Sequence, residues 1–454
     1  MKKSILFTLA FIFFANILLG QNETKKDSTN NKEKIKTGWN FGVLPAVAFD
    51  SDLGFKYGGL INLYNFGDGS TYPNYLQSIY LEISRTTKGS GVNQLFFDSE
   101  HLFKNRKLRV TADLSFLTEK ALDFYGFNGA EALYNPDFEN DLSSNSSYIS
   151  RMFYRHARKM TRFTCDFQGY IIPDKLRWLG GIAYFGNKIE QVDIDNLNEG
   201  KDESEKLPDT ASLYDKYIDW GIIPSEEADG GNNQYLKFGL IWDTRDIEAN
   251  PGHGIWSEAL IMTAPSFLGN KENAYTKLVV THRQYFTLIK KRLTFAYRVG
   301  YQGTIAGNAP FYMQAYMISS YSPSVITEGL GGSKSLRGIL RNRIVGDDFV
   351  FGNFEFRWKF LKTVIKNQNV YLALNPFVDA GKIIDPIDID KSNIPASVTL
   401  SNYFDESKDK FHFTYGCGLH IAHNENFVLS INYGIAADKN DGTKGLYIGT
   451  NWLF

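Results

Sequence analysis

Asn353-Phe354-Glu355-Phe356-Arg357-Trp358-Lys359-Phe360 alternates without a break between polar or charged residues and aromatic ones. A period of two is the strand repeat, because successive side chains leave a pleated backbone on opposite faces. Here one face is charged and the other wholly aromatic. Such a strand belongs either to a packed sandwich or to a membrane barrel that is polar inside and apolar outside.

The alternation extends in both directions. Leu293, Phe295, Tyr297, Val299 and Tyr301 oppose Arg292, Thr294, Ala296, Arg298 and Gly300. Leu236, Phe238, Leu240 and Trp242 oppose Lys237, Gly239, Ile241 and Asp243. The last segment puts Leu446, Ile448, Thr450, Trp452 and Phe454 on one apolar face. Sixteen such segments begin near residues 38, 53, 75, 92, 106, 158, 175, 234, 254, 274, 292, 348, 370, 411, 426 and 444.

Their connections alternate in length. Lys104-Asn105, Pro173-Asp174-Lys175, Lys290-Lys291 and His423-Asn424 are tight turns, whereas 120–157, 191–233, 307–347 and 384–410 are long and fall at the other end. An even strand count, short turns at one end and long loops at the other predict an all-β, 16-stranded antiparallel transmembrane β-barrel. A closed sheet pairs every backbone group in hydrocarbon, where an open edge is costly. A soluble sandwich needs a second sheet to cover the aromatic face, and nothing in it calls for a final aromatic residue.

The rest of the chain fits an exported barrel. Residues 1–20 read as a signal peptide: Lys2 and Lys3, then an apolar run to Leu19, ending at Gly20. Residues 21–37 are polar, aperiodic and read as a flexible periplasmic tether, and 38–454 form the barrel. A formal charge of −1 gives no reason to expect nucleic acid as a partner. Cys165 and Cys417, the only cysteines, lack metal-ligand spacing. Aromatic residues make up 15 % of the chain, and a barrel is expected to turn them outward into interface girdles.

One stretch breaks the strand pattern. Glu328-Gly329-Leu330-Gly331-Gly332-Ser333-Lys334-Ser335-Leu336-Arg337-Gly338-Ile339 sits in the loop between the eleventh and twelfth strands and carries a single arginine among glycines. Glycines permit tight turns and close packing, so this loop can carry a long cation into a confined space.

From Gly331 to Ile339 the stretch resembles the Val-Arg-Gly-Phe/Tyr loop of the BamA/TamA superfamily (bacterial surface antigen family), with Leu336 and Ile339 in place of the usual Val and aromatic. Gly239-Leu240-Ile241-Trp242-Asp243-Thr244-Arg245-Asp246 with Asn250-Pro251 and Gly254 resembles that family's strand–turn–strand motif. Phe377-Val378-Asp379-Ala380-Gly381 resembles its Phe-x-Asp-x-Gly strand, and Asn353-Phe354-Glu355-Phe356 the strand that supplies a second carboxylate. The resemblance spans roughly residues 39–454 and implies a short member without periplasmic polypeptide-transport domains.

It also implies that Gly331, Gly332, Leu336, Arg337, Gly338 and Ile339 form a lumen-plugging motif, with Asp379 and Glu355 on the inner wall as partners of Arg337. Both carboxylates have the polar parity of their strands, and a guanidinium fork matches carboxylate oxygens. The first and last strands of such barrels meet weakly. Pro45 removes a ladder donor from the first strand, which suits either a weak edge or a rim kink. Leu446, Ile448, Trp452 and Phe454 resemble the aromatic-ended signal read by barrel-assembly machinery, making this chain a client as well.

The function implied is outer-membrane biogenesis, by insertion or translocation of protein or lipid. Its expected surroundings are outer-membrane lipid and lipopolysaccharide, with periplasmic or lipoprotein partners. A passive pore is the alternative. An enzyme is not expected: the seven histidines are scattered, there is no Gly-x-Ser-x-Gly elbow, and the glycine-rich stretch lacks a phosphate loop's Gly-Lys-Ser order. The acidic runs Asp193–Glu205 and Asp385–Asp390 read as solvated loops, and no cofactor or metal is expected.

Overall fold

The computed structural model describes residues 35–454 except 51–52, 71–74, 101, 103–107, 142–146, 248–249, 271–272, 321–327, 366–367, 406–408 and 424–426. The signal peptide, most of the tether and two of the four tight turns lie wholly or partly outside the described residues.

Strand β1 consists of two segments, Trp39–Pro45 and Ala48–Asp50, which lie end to end against β2 (Gly54–Asn65). There follow β3 (Gln77–Thr86), β4 (Gly91–Ser99), β5 (Leu108–Asp123) and β6 (Arg155–Ile172). Next come β7 (Leu176–Glu190), β8 (Gly230–Asp243), β9 (Gly254–Ala264) and β10 (Tyr275–Ile289). The ring ends with β11 (Leu293–Gly307), β12 (Asp348–Ile365), β13 (Gln368–Asp385), β14 (His412–His423), β15 (Phe427–Ala436) and β16 (Lys444–Thr450). Every neighbour pair is antiparallel and β16 returns to β1, so sixteen strands close a barrel. Among the described residues no helix is long and apolar enough to cross a membrane.

The pleat sorts the side chains. On β12, Asn353, Glu355 and Arg357 are buried in the lumen, while Phe354, Phe356 and Trp358 are 40 %, 45 % and 49 % exposed on the outside. The exposed aromatics touch across strands: Phe295 lies 5.1 Å from Phe356, and Phe286 stacks on Phe295 at 6.3 Å. An apolar outer surface over a polar lumen is the arrangement of a membrane barrel. At the turn end, Asp174 and Lys291 adopt left-handed φ values of 56° and 61°, as tight hairpins demand.

The loop end differs from expectation in two ways. β5 and β6 run further than the polar pattern shows, to Asp123 and from Arg155, because a bulge between Glu119 and Leu122 absorbs the break in alternation. Many aromatics also turn inward instead of forming girdles. Tyr125, Phe153, Tyr217, Trp220, Tyr312 and Phe404, drawn from all four long loops, pack into one buried cluster. A short helix α1 (Leu213–Asp219), started by a Ser212/Asp215 capping box, presents Tyr214 and Tyr217 to it. The long loops therefore make a domed core that covers the lumen at that end.

Candidate functional site: the infolded loop and the seam

The segment after β11 turns into the lumen as a hairpin. Leu330 and Ile344 exchange backbone hydrogen bonds of 2.9 and 3.1 Å, and Gly332 N donates to Ile339 O at 2.9 Å. Ser335 Oγ accepts from Gly331 N and donates toward the Gly329 and Gly331 carbonyls, fixing the glycine-rich turn from within. Leu336 and Ile339 are buried with Leu330, Ile344, Phe349 and Phe351, so the apolar residues flanking the arginine anchor it.

Arg337 is 1 % exposed, with Asp379 at 0 % and Glu355 at 1 %. Its Nε and Nη2 donate to the two Asp379 oxygens at 2.9 Å each, and its backbone N adds 3.1 Å to Oδ2. Nη1 donates to Glu355 Oε2 at 3.1 Å. The guanidinium lies 3.5 Å from the Phe377 ring centroid, closing the face that the carboxylates leave open. Burial opposes its charge, but Asp379 and Glu355 outweigh that effect and hold its pKa above the usual guanidinium value.

Two more arginines extend this anchorage. Arg341 pairs with Glu119 on β5, which also binds Arg158 of β6 at 2.9 Å through Nε. Arg343 donates to the carbonyls of Gly129, Ala132 and Asn440 at 3.0, 2.8 and 2.7 Å, tying the hairpin to the dome. β5 and β13 are eight strands apart on a ring of sixteen, so the hairpin spans the lumen from wall to opposite wall.

Sequence reasoning missed the close approach that lets the hairpin seat. Gly338 has φ 105°, and a Cβ there would meet the Gly434 carbonyl carbon at 2.6 Å; a Cβ on Gly434 would meet Arg337 O at 2.3 Å. Glycine is needed on both sides of this backbone contact. Gly434, inside the β15 pattern, was the available signal. Gly338 N also donates to the Tyr447 hydroxyl at 3.1 Å, placing the loop against β16.

The seam between β1 and β16 is short. Among the described residues it has two register pairs, Tyr447↔Asp50 and Ile448↔Phe49, against fifteen between β12 and β13. β1 breaks after Pro45, and among the described residues its Trp39–Pro45 segment pairs with β2 alone. Leu446 and Ile448 are half-buried on the outer parity of β16.

Trp452 and Phe454 require a correction. They do not continue the outer face with Leu446 and Ile448. β16 ends at Thr450, Asn451 takes φ 70°, and the chain swings into the lumen. There Trp452 stacks on His420 at 3.8 Å and 10°, Arg357 lies 4.6 Å from the Trp452 ring and 5.1 Å from Phe454, and Tyr285 lies 6.3 Å from Phe454. The left-handed residue reverses the parity of everything after it.

At the dome edge, Asp409 Oδ1 accepts from Ala130 N and meets His412 Nε2, both at 2.8 Å, while Oδ2 accepts from Ile383 N at 2.8 Å. Burial pushes this carboxyl up, but His412 and the two amides overcome it and hold it below the usual carboxylate range. Asp441 meets the other ring nitrogen of His412 at 2.7 Å. This set fastens the dome to β13 and β14. Among the described residues no group of three His, Cys, Asp or Glu side chains is arranged to hold a metal ion.

The sequence model of the Omp85 superfamily domain matches residues 77–452. A search of curated protein sequences finds no match. Among solved structures, BamA from Haemophilus ducreyi lacking POTRA domains 1-3 aligns over 92 % of this chain and 71 % of its own, at 15 % identity and a TM-score of 0.52. CdiB from Escherichia coli aligns over 93 % of this chain and 66 % of its own, at 11 % identity and a TM-score of 0.53. Both likenesses concern the fold.

Proposed function

The chain belongs to the Omp85 superfamily, and on that premise we propose that it resides in a bacterial outer membrane and acts in that membrane's biogenesis, through the seam between β1 and β16. The observation that carries this reading is the two-pair closure. Facing lipid, the unpaired edge of Trp39–Pro45 has no water to bond with, so a strand from another polypeptide that paired with it would satisfy those groups. Trp39, Phe41 and Val43 are 55 %, 78 % and 64 % exposed beside that edge, an apolar track along which such a strand would lie. The work needed is separation of two register pairs, with no catalytic step.

Periplasmic or lipoprotein partners deliver the client, the outer belt meets lipid, and the domed end faces lipopolysaccharide. The barrel is itself a client of the assembly machinery. The passive-pore alternative is disfavoured by the hairpin across the lumen and the dome above it. The test is a reversible lock. Phe49→Cys with Ile448→Cys, in a Cys165→Ser, Cys417→Ser background, is oxidised in cells that depend on this chain. Outer-membrane protein levels should fall on oxidation and recover with reductant. Unchanged levels, or no effect of depleting the chain, would remove the biogenesis reading.

A further inference from the structure

One buried carboxylate lies between the loop and the seam. Glu355 Oε2 accepts from Arg337 Nη1 and from Asn375 Nδ2, each at 3.1 Å. Its Oε1 accepts from Arg357 Nε at 2.8 Å. Arg357 Nη2 in turn donates to the Phe454 backbone oxygen at 2.7 Å, under the rings of Trp452 and Phe454. Asp379, Arg337, Glu355 and Arg357 thus alternate in sign, sum to zero and are all at most 2 % exposed.

We propose that Glu355 and Arg357 form a relay that couples the position of the infolded loop to the seating of residues 452–454, and so to the seam. While Arg337 occupies Glu355 Oε2, Arg357 reaches only Oε1, and its Nη2 is left for Phe454. Withdrawal of Arg337 exposes Oε2 beside a guanidinium whose Nε already holds Oε1. Nε and Nη2 form the side-on fork that a carboxylate prefers, so Nη2 moves to Oε2 and releases the Phe454 oxygen. The oxygen that the loop leaves behind drives the exchange, because Oε2 then keeps only Asn375 and a buried carboxylate that loses one of its two charged partners is costly.

Arg357 also has a buried Nη1 without a hydrogen-bond partner among the described residues, so its present pose is not saturated and can change. Loss of the Phe454 bond frees the turn after Asn451, one residue beyond β16, whose Ile448 forms half of the closure. Loop withdrawal and seam loosening become one event. The relay deepens the reading of the seam as the working edge, yet it is a property of the barrel alone and is measurable without a client.

The test uses the full chain in detergent micelles with both native cysteines replaced by serine. Leu453→Cys reports on the tail and, in a separate protein, half-buried Ser333→Cys reports on the loop, each by its rate of maleimide labelling. Arg337→Ala should speed labelling at 453 at least tenfold, although the hydrogen bonds of Arg337 go to Asp379 and Glu355. Arg357→Lys keeps the charge but loses the fork, and should speed labelling at 453 and also at 333, since coupling is reciprocal. Arg341→Ala, which cuts the loop from the opposite wall, should speed labelling at 333 and leave 453 within twofold. If Arg337→Ala does not fold, Arg337→Lys carries the test, with a smaller change in the same direction. The proposal is overturned if Arg337→Ala leaves 453 unaffected, or if Arg341→Ala frees 453 as much as Arg337→Ala does. Coupled labelling with no effect of depletion on outer-membrane proteins would keep the relay and discard the biogenesis reading.

Discussion

Truncating Arg337 to alanine tests how dry the lumen is around the loop. The change deletes three side-chain hydrogen bonds, two to Asp379 and one to Glu355, and a face-on contact with Phe377. Asp379 and Glu355 are almost fully shielded, so Asp379 loses the guanidinium that binds it, and Glu355 one of its two, in a place water does not reach. A buried pair broken on one side costs about 3–5 kcal/mol. A solvent-flooded pair would cost about 0–1 kcal/mol. Unfolding in urea from detergent micelles, read by tryptophan emission and checked by heat-modifiable mobility, separates the two. Arg337→Ala combined with Asp379→Ala should be less damaging than the sum of the singles by about 2 kcal/mol or more. Arg337→Glu should be worse than alanine, and adding Asp379→Arg should restore part of the loss. Additive singles of about 1 kcal/mol or less would refute the argument from burial.

Two other expectations follow from the dome and the strut. The folded pKa of Asp409 lies below its unfolded value, so its contribution to stability is complete above the unfolded pKa, about 4, and is lost as pH falls through the lower folded value. The stability gap between wild type and Asp409→Asn should therefore be full at pH 6 and shrink as pH is lowered below about 4; a constant gap would show that the carboxylate is not held by His412 and the amides. In planar bilayers the intact barrel should conduct poorly, and removal of residues 331–342 should give larger, flickering openings. Large steady openings of the intact protein would mean that neither hairpin nor dome obstructs the lumen.

The barrel was legible because lipid and lumen impose opposite demands on alternate residues, as Phe354 and Glu355 show. The meeting of Arg337 with Asp379 and Glu355 could be anticipated from strand parity together with a family resemblance, since parity alone does not say which arginine enters the lumen. The pairing of Arg341 with Glu119 could not, because 222 positions separate them and nothing local marks either as a partner. The inward path of Trp452 and Phe454 was hidden by one residue: periodicity runs on through Asn451, and only its left-handed φ breaks the parity. Periodicity likewise cannot tell an aromatic facing lipid from one in a folded loop, so composition points to a girdle where the structure has a dome.

The hairpin spanning from β13 to β5 has a mechanical consequence. A split ring opens at its cut only if the wall opposite the cut flexes and the two flanks move apart. β5 and β13 are those flanks, standing on either side of the β1–β16 cut, and Arg341 and Arg337 hold the ends of a tie-rod between them. While both ends are fastened, the rod resists separation of the two flanks, a load borne across the lumen and apart from the seating of the residues after β16.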